Sequence, residues 1–321
     1  MKTSRLTLSV LLWLQIVARG ADPAPSAPTT QSVPAVSPLA AARRDFHTTL
    51  RPQPSDPEPA EPAPKKLFLT TKYPAPAGKL AAYLTPDPKD GKKHPAIVWI
   101  TGGDCNTIGD VWSPAPRDND QSAAAYRQAG VVMMFPSLRG GNDNPGKKEG
   151  FLGEVDDVLA AADFLARQPY VDPARIYLGG HSTGGTLALL VAESSDRFRA
   201  VFAFGPAAEA RDYGVPGKFV PADLSQPEEN KLRSPIAWLA GIQSPTWVLE
   251  GTEGNVDALR DLAKASTNSR VHCVTIQGAT HFATLAPTNE LIARKILEDT
   301  GAPGGFSLTS EEVNRLFAPG R

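Results

Sequence analysis

The chain has little of what marks several common classes of protein. Its 321 residues include two cysteines, Cys105 and Cys273, which are too few for a disulfide scaffold and lack the paired spacing of a zinc site. Neither sign of charge is in excess, because 33 Lys and Arg stand against 34 Asp and Glu, and no basic run is present. We therefore expect neither a nucleic-acid partner nor binding to an anionic membrane surface.

A long hydrophobic run is also lacking. The apolar stretch at residues 6–17 is shorter than the roughly 20 residues that a helix needs to cross a bilayer. Two basic residues precede it, and small residues suited to a cleavage site follow at Ala18 and Gly20. The sequence predicts a signal peptide over residues 1–20 and a secreted or periplasmic protein, with a retained membrane anchor as the alternative. No cysteine follows the apolar stretch, which excludes a bacterial lipid anchor at that point.

Residues 21–64 are rich in Pro, Ala, Ser and Thr. Such a segment buries too little apolar surface to offset the entropy lost on ordering, so we predict a disordered or extended tether. Residues 40–50, which contain Phe46 and Leu50, are predicted to form a short helix that docks on the domain. The folded domain is predicted over residues 65–321.

Within this domain, short apolar strands alternate with helices. The predicted strands are 67–73, 79–84, 96–100, 131–135, 175–178, 200–204, 246–250 and 271–276; the predicted helices are 120–128, 154–168, a helix ending at 192, 291–297, and a last one opened by the capping box Thr309-x-x-Glu312. This alternation predicts an α/β fold with a mostly parallel central sheet covered by helices on both faces.

Two segments interrupt the alternation, a long loop at residues 104–118 and a small cap-like insertion at about residues 207–243. Long loops at the carboxyl ends of parallel strands are where such sheets place their sites. We expect both segments to shape a pocket. Trp112, Tyr213 and Phe219 are candidates to line it or, more simply, to pack their own loops.

The most informative motif is Gly180-x-Ser182-x-Gly184, between a predicted strand and a predicted helix. The G-x-S-x-G pattern puts a serine on a sharp strand-to-helix turn, where only glycine fits beside the strained residue. The same letters are close to a phosphate-binding loop, but Gly185 stands where that loop requires lysine. Ser182 is therefore predicted to be a nucleophile, and we expect no cofactor and no metal.

A serine hydroxyl is a weak nucleophile and needs a histidine to take its proton. Four of the five histidines are poorly placed for this: His47 in the tether, His94 before the first buried strand, His181 in the turn itself and His272 within a strand. His281 lies in a loop just past the last strand, at the sheet edge expected for Ser182. We predict His281 as the base.

The acid of a Ser–acid–His triad is expected between the other two members in this fold. Three carboxylates follow or end the penultimate strand, Glu250, Glu253 and Asp257. We favour Glu253, because it lies beyond the strand end, whereas Glu250 is expected inside the strand and Asp257 on the next helix. Asp212 in the insertion is a fourth candidate.

An oxyanion hole requires backbone N–H groups directed at the developing charge. Thr183, immediately after the nucleophile, is predicted to supply one. The loop after the first buried strand contains Gly102 and Gly103, which allow close approach of the backbone to a ligand. We predict Gly103 as the second donor, with Asp104 as the alternative.

With these residues in place, the chain resembles an α/β-hydrolase, and more narrowly the catalytic domain of the prolyl oligopeptidase and dienelactone hydrolase-like group. The resemblance covers roughly residues 65–300. It rests on the segments 101–103, 139–146, 153–157, 170–176, 180–185, Ser234-Pro235 leading to 244–246, and His281. It implies an α/β-hydrolase fold and a serine hydrolase.

Two departures from the family pattern bear on function. The family usually has an aspartate three residues after the glycine matching Gly251, and Gly254 stands there in this chain. Its peptidases also carry a large β-propeller, and nothing before Lys65 is long or strand-rich enough for one. Arg139, in one of the family segments, is expected to form an internal ion pair rather than to bind a substrate carboxylate.

The leading hypothesis is a secreted serine hydrolase that cleaves an ester, a lactone or a short peptide through an acyl-enzyme on Ser182. A prolyl-oligopeptidase-like serine peptidase is one alternative. A second is a non-catalytic binding or scaffold protein with a hydrolase fold, suggested by the missing aspartate. An acyltransferase that uses the same triad is a third.

Overall fold

The computed structural model describes residues 37–53, 58–214, 218–302 and 304–318. The predicted signal peptide and the tether residues 21–36 and 54–57 lie outside the described residues. Over the part of the chain that is described, no helix combines the length and the hydropathy needed to cross a membrane.

The strands of the described residues form one eight-stranded sheet in the order β1-β2-β4-β3-β5-β6-β7-β8. They are β1 (Leu69–Ala75), β2 (Gly78–Leu84), β3 (His94–Ile100), β4 (Val132–Pro136), β5 (Val171–His181), β6 (Val201–Phe204), β7 (Thr246–Gly251) and β8 (Val271–Ile276). Only β2 runs against its neighbours, pairing antiparallel with β1 and β4, and the remaining pairs are parallel. This is an α/β-hydrolase fold, and the predicted fold class is confirmed.

Eight α-helices occur in the described residues. They are α1 (Pro38–Arg43), α2 (Ala124–Ala129), α3 (Glu154–Ala166), α4 (Thr183–Ser194), α5 (Pro227–Leu232), α6 (Val256–Ala265), α7 (Leu285–Glu298) and α8 (Ser310–Arg315). The predicted capping box opens α8, with the Thr309 hydroxyl accepting the Glu312 N–H. Helix α7 begins earlier than predicted, since Pro287 falls in its first turn, where the missing N–H would have no intrahelical partner.

Alternate residues of the central strand β3 enter the two hydrophobic cores on opposite faces of the sheet. Val98 and Ile100 belong to one core, and Ile97 and Trp99 to the other, all of them almost fully buried. Each such side chain contributes roughly 1.5–3 kcal/mol by leaving water. Because β3 is covered on both faces, the loops at its carboxyl end start from a rigid support.

The described part of residues 21–64 is folded onto the domain, which corrects the prediction of a tether for residues 37–53 and 58–64. Leu39 is fully buried, and Arg43 donates to the Leu152 carbonyl and pairs with Asp156 at 3.0 Å. A short helix forms over Pro38–Arg43, because the Ser37 hydroxyl caps it and proline suits its first position. It overlaps the predicted helix over residues 40–50 only at its own C-terminal end, and Phe46 and Leu50 lie beyond it. These specific contacts cannot be predicted from the composition of the segment alone.

Buried ion pairs hold the insertion and the segment between β4 and α3. In the insertion, Arg233 is fully buried, pairs with Glu229 and donates from Nε to the Glu149 carbonyl. Arg139 forms the expected internal ion pair, a two-point contact with the buried Asp157.

Cys105 and Cys273 are free thiols.

Candidate active site

Ser182 occupies the strained turn that the motif predicts. Strand β5 ends at His181 and α4 begins at Thr183, and Ser182 between them has φ 56° and ψ −115°. A non-glycine residue held in such a sparsely populated region costs about 1–3 kcal/mol, so the surroundings must enforce it. Ser182 N–H donates to the Phe204 carbonyl at 2.8 Å, and its own carbonyl accepts the Thr186 N–H at 2.9 Å.

The glycines of the motif are required by space. A Cβ at Gly180 would lie 2.3 Å from the Gly184 carbonyl oxygen, and one at Gly184 would lie 2.3 Å from the Ile100 carbonyl oxygen. Both obstacles are backbone atoms, which have no alternative position. The two glycines of G-x-S-x-G are therefore needed because the chain turns sharply from β5 into α4 at the serine, which brings backbone atoms into close contact.

His281 lies behind this turn and is oriented by Glu250. The imidazole Nδ1 is 2.7 Å from Oε2 of Glu250, and Oε1 of the same carboxylate accepts the Gly251 N–H at 2.6 Å. The side chain of Glu250 is 1% exposed. A carboxylate can only accept here, so Nδ1 carries the proton and Nε2 is left as the basic nitrogen.

The choice of Glu253 as the acid is corrected by this geometry. Glu253 is exposed, and the contact it makes with this region is a backbone bond from its N–H to the Ala279 carbonyl. Asp257 is exposed and pairs with Arg260. Asp212 accepts the Glu209 N–H within its own capping box. Of the four candidates, the structure brings only Glu250 to the imidazole.

Gly254 explains how an acid inside the strand reaches the histidine. A Cβ at this position would lie 2.5 Å from Oε1 and 2.9 Å from the carboxyl carbon of Glu250. The carboxylate of Glu250 thus occupies the space that a side chain at position 254 would need. The departure from the family pattern at Gly254 and the presence of Glu250 are two parts of one arrangement.

The end of β6 contacts both the turn that carries Ser182 and the imidazole of His281. Gly205, which follows the Phe204 carbonyl that binds Ser182 N–H, has φ 55°, and a Cβ there would lie 2.3 Å from Cε1 of His281. No hydrogen bond joins Ser182 Oγ to His281 among the described residues. Such contacts are often long in the absence of substrate and tighten when it binds.

His181 supports the histidine loop but is unsuited to be a base. Its ring packs on that of His281 with centroids 4.5 Å apart, and its Nε2 lies 3.3 Å from the His281 carbonyl oxygen. Burial, reinforced by the nearby His281, lowers the pKa of His181 to about 3. The ring is therefore neutral near pH 7 and adds no charge beside the base.

The two predicted oxyanion donors belong to segments that are tied together. The Thr183 hydroxyl donates to the Gly103 carbonyl at 2.9 Å. Thr183 is the first residue of α4, where N–H groups have no intrahelical partner and the helix dipole favours negative charge. Gly103 adopts φ 74°, a conformation suited to glycine. The carboxylate of the alternative, Asp104, is 2.6 Å from Nζ of Lys148.

Sequence reasoning missed the buried polar residues that fix the loop carrying Gly103. Asn106 Nδ2 donates to the Arg139 carbonyl at 2.8 Å and to Oε1 of Glu154 at 3.1 Å. Glu154 also accepts the N–H groups of Glu149 and Leu152, and burial raises its pKa. The sequence signal was available in the Gly153-Glu-Val-Asp-Asp157 segment, in which the carboxylates of Glu154 and Asp157 are buried, whereas that of Asp156 is 48% exposed.

Two cavities adjoin these residues. One, of about 420 Å³, is lined by Ser182, Gly205 and Tyr213 together with three carboxylates, those of Asp212, Asp257 and Asp261. The other, of about 230 Å³, contains both Gly103 and Thr183.

Both predicted loops contribute to these pockets. Tyr213 and Phe219 line cavities and also pack on each other, whereas Trp112 packs against Tyr83. Within the described ranges, no group of three or more His, Cys, Asp or Glu side chains is arranged to hold a metal ion.

Comparison with known proteins agrees with the predicted resemblance. Residues 118–229 match the prolyl oligopeptidase family. A segment of 126 residues, 37% of this chain, is 34% identical to dipeptidyl-peptidase 5 of Porphyromonas gingivalis. A shorter segment of 66 residues is 33% identical to a dual function macrocyclase-peptidase of Galerina marginata. The chain spans only 18% and 9% of the lengths of these two relatives.

Solved structures share the fold. An acylaminoacyl peptidase from Pyrococcus horikoshii superposes with a TM-score of 0.58 at 16% identity, over 78% of this chain and 44% of that one. A puromycin-hydrolyzing peptidase of Mycobacterium tuberculosis gives 0.57 at 20% identity, over 73% and 39%. An esterase from Pyrobaculum calidifontis gives 0.54 at 20% identity, over 74% of this chain and 87% of the esterase. The resemblance to the α/β-hydrolase catalytic domain of prolyl oligopeptidases is confirmed.

Proposed function

We propose that this protein is a serine hydrolase that cleaves an ester, a lactone or a short peptide through an acyl-enzyme on Ser182. The observation that carries the proposal is the contact of 2.7 Å between His281 Nδ1 and the buried carboxylate of Glu250, beside the strained Ser182. A serine with forced backbone geometry, a histidine with a fixed tautomer and a buried acid are the parts that acyl transfer requires.

The reaction follows from the positions of these groups. Nε2 of His281 takes the proton of Ser182 Oγ as that oxygen bonds to the substrate carbonyl carbon. The imidazolium that results is stabilised by Glu250, and the carbonyl oxygen, now negative, is held by the N–H groups of Gly103 and Thr183. Collapse of the tetrahedral intermediate expels the leaving group, which receives the proton from Nε2. Water then repeats the sequence and frees Ser182.

The substrate class is supported by the cavities and by the relatives. The 420 Å³ cavity at Ser182 is within the range of small-molecule sites and is large enough for a short peptide or a small ester. The sequence relatives are peptidases, and an esterase is among the proteins that share the fold. Both chemistries use the same acyl-enzyme, so the triad serves either.

A fluorophosphonate probe tests the proposal directly. The wild-type chain is expected to be labelled on Ser182, as located by mass spectrometry of the digested protein. Ser182→Ala is expected to abolish labelling, while Ser194→Ala, whose hydroxyl bonds to the Leu190 carbonyl at the far end of α4, is expected to retain it. A folded wild-type protein that stays unlabelled, under conditions that label a control hydrolase, contradicts the proposal.

The non-catalytic alternative loses its motive in this arrangement. It rested on the glycine at position 254, and the carboxylate of Glu250 fills the space beside that glycine. Turnover of short p-nitrophenyl esters by the wild-type chain that disappears in Ser182→Ala would eliminate a pure binding role.

Export is also proposed, on the basis of the basic start, the apolar stretch at residues 6–17 and the small residues that follow. Expression with the native start and sequencing of the mature N-terminus tests it. A mature chain that begins at Ala21 in the extracytoplasmic fraction is expected, and an uncleaved chain retained in the cytoplasm contradicts the proposal.

A further inference from the structure

The N-terminal arm, residues 37–53, reaches the candidate active site. It lies outside residues 118–229, which match the hydrolase family, and it makes none of the strands of the sheet. It is nevertheless fixed along its length. Leu39 and Arg43 anchor its first part, and the Thr48 hydroxyl donates to the carboxylate of Glu229 at 2.9 Å.

Beyond Thr48 the arm runs along the insertion toward the oxyanion side of the site. Leu50 forms an antiparallel bridge with Ala222, and Arg51 N–H donates to the Pro221 carbonyl at 2.7 Å. Backbone pairing fixes the path of a chain in a way that side-chain contacts alone do not. The arm is thereby brought to the edge of the cavity that holds Gly103 and Thr183.

Gln53 then forms part of the wall of that 230 Å³ cavity. Its side-chain Nε2 donates to the Lys148 carbonyl at 2.8 Å, which ties the arm to the loop on the other side. The same cavity includes Gly103 and Thr183, the predicted oxyanion donors. Any substrate group that enters it lies next to the scissile carbonyl.

The lining of this cavity indicates what such a group is. Phe151 and Phe219 contribute aromatic surface. The charge of Lys148 is matched by Asp104, but Lys218, whose ammonium lies over the Phe219 ring, has no carboxylate partner in the described chain. The cavity thus suits an apolar group and disfavours a positive charge.

We infer that residues 48–53 are a substrate-specificity element. Gln53 lines a pocket next to the oxyanion donors Gly103 and Thr183, and this pocket binds an apolar, non-cationic group of the substrate. The inference rests on the proposed function, because it assigns part of the substrate site of the same reaction. The arm acts by fit and by exclusion, and it holds no reacting atom.

Substitutions at Gln53 test the inference through selectivity. Two series of p-nitrophenyl and alkyl esters are used, one with a growing acyl group and one with a growing leaving group. Gln53→Trp narrows the pocket. In the series whose growing group enters this pocket, it is expected to raise the ratio of kcat/KM for small substrates to kcat/KM for large substrates by about 10-fold or more. Gln53→Ala widens the pocket and is expected to shift the same ratio the other way.

Matched controls separate fit from folding. Gln243→Trp places the same side chain on an exposed glutamine that lines neither cavity, and its ratios are expected to match the wild type. The unfolding midpoint of each variant is measured alongside, so that a damaged fold is recognised. In the affected series, a neutral group is expected to be preferred over a cationic one of equal size, and Lys218→Gln is expected to reduce that preference.

The outcomes distinguish this inference from the function beneath it. Wild-type turnover with ratios that do not respond to residue 53 in either series contradicts the role of the arm alone. A preference for the cationic substrate contradicts the assigned class of group. Absence of both turnover and labelling in the wild-type chain contradicts the proposed function itself.

Discussion

Two parts of the candidate site are built in different ways, the turn around Ser182 and the loop after β7. In the turn, backbone atoms determine which residues fit. A Cβ at Gly180 or at Gly184 would lie 2.3 Å from a neighbouring carbonyl oxygen, and Ser182 adopts φ 56°. In the loop, a side chain decides the outcome. Glu250 reaches His281 from inside the strand, because Gly254 leaves its space empty.

The difference predicts that the two halves of the candidate site respond differently to substitution. In a turn whose neighbours are backbone atoms, a side chain at Gly180 or Gly184 has no room, so the structure requires glycine at both positions. The acid needs only to bring a carboxylate oxygen to Nδ1 of His281. The Glu250 carboxylate and a side chain at position 254 would occupy the same space, so either position can be expected to supply that oxygen. In this chain the candidate acid therefore comes from position 250, within the strand, and its carboxylate lies where a side chain at position 254 would stand.

The largest expected effect comes from the turn. Ser182→Ala is expected to lower kcat for a p-nitrophenyl ester by about 10⁵-fold or more, because the covalent route is lost. His281→Ala is expected to cost a similar factor, and the double variant little further, since the two residues act as one unit. Steady-state kinetics measures all three. Losses that multiply in the double variant would show that Ser182 and His281 work independently.

Glu250 is expected to have a large but smaller effect. In Glu250→Gln the amide keeps the shape of the side chain but no longer requires a proton on Nδ1, so the histidine loses its fixed tautomer. We expect kcat to fall by about 10³- to 10⁴-fold with the fold intact.

The matched control is the neighbouring carboxylate that sequence reasoning preferred. Glu253→Gln is expected to keep kcat within about 2-fold of the wild type, because an exposed group away from the site contributes little. Equal activity of Glu250→Gln and the wild type, or a large loss in Glu253→Gln, would reverse the assignment made from the geometry.

The same contrast explains how much could be predicted from the sequence. The strand–helix alternation and the G-x-S-x-G spacing follow from local rules of periodicity and turn sterics, and both are found in the structure. His281 followed from its place after the last strand. The acid could not be found this way, because the reach of a Glu side chain from β7 depends on the room at Gly254, which lies four residues on.

For residues 37–53, docking of the stretch 40–50 was expected, but the order of the whole arm escaped prediction for a related reason. Their composition is that of a disordered segment, which buries too little apolar surface to offset the entropy lost on ordering. Their order comes from specific partners far along the chain, such as Asp156 for Arg43 and Glu229 for Thr48. Contacts of this kind between distant residues leave no local pattern. Buried polar anchors such as Asn106 are invisible for the same reason.

A double substitution sharpens the comparison by moving the acid. Glu250→Ala empties the space beside Gly254, and adding Gly254→Asp places a carboxylate where the family pattern has one. We expect the double variant to recover about 10- to 100-fold in kcat over Glu250→Ala alone, with part of the loss remaining because a Cβ at 254 also lies 2.9 Å from the His281 backbone nitrogen.

The single variant Gly254→Asp is the control for this experiment. Its side chain meets the carboxylate of Glu250 at 2.5 Å and places a like charge beside it, so activity is expected to fall. A double variant no more active than Glu250→Ala would show that the two positions do not converge on one site.

The smallest expected effect lies where the two regions touch, at His181, which belongs to the turn and packs on His281. Its pKa falls from 6.5 to about 3 on burial, so between these values the unfolded chain binds a proton that the folded chain does not. Stability is therefore lost as pH falls below about 6.5, by up to about 1.4 kcal/mol per pH unit from this residue.

His181→Phe keeps a ring against His281 and removes the titration. Urea unfolding from pH 4 to pH 7 is expected to give a shallower loss of unfolding free energy toward low pH than in the wild type. Taking the difference between the two curves removes the contribution of groups that residue 181 does not contact, so it reports on the titration of His181 in its immediate surroundings. His47→Phe, at an exposed position of the arm, is the matched control and is expected to leave the curve unchanged in slope. Parallel curves for His181→Phe and the wild type would mean that His181 is protonated in the folded protein, and that a positive charge does stand beside the base.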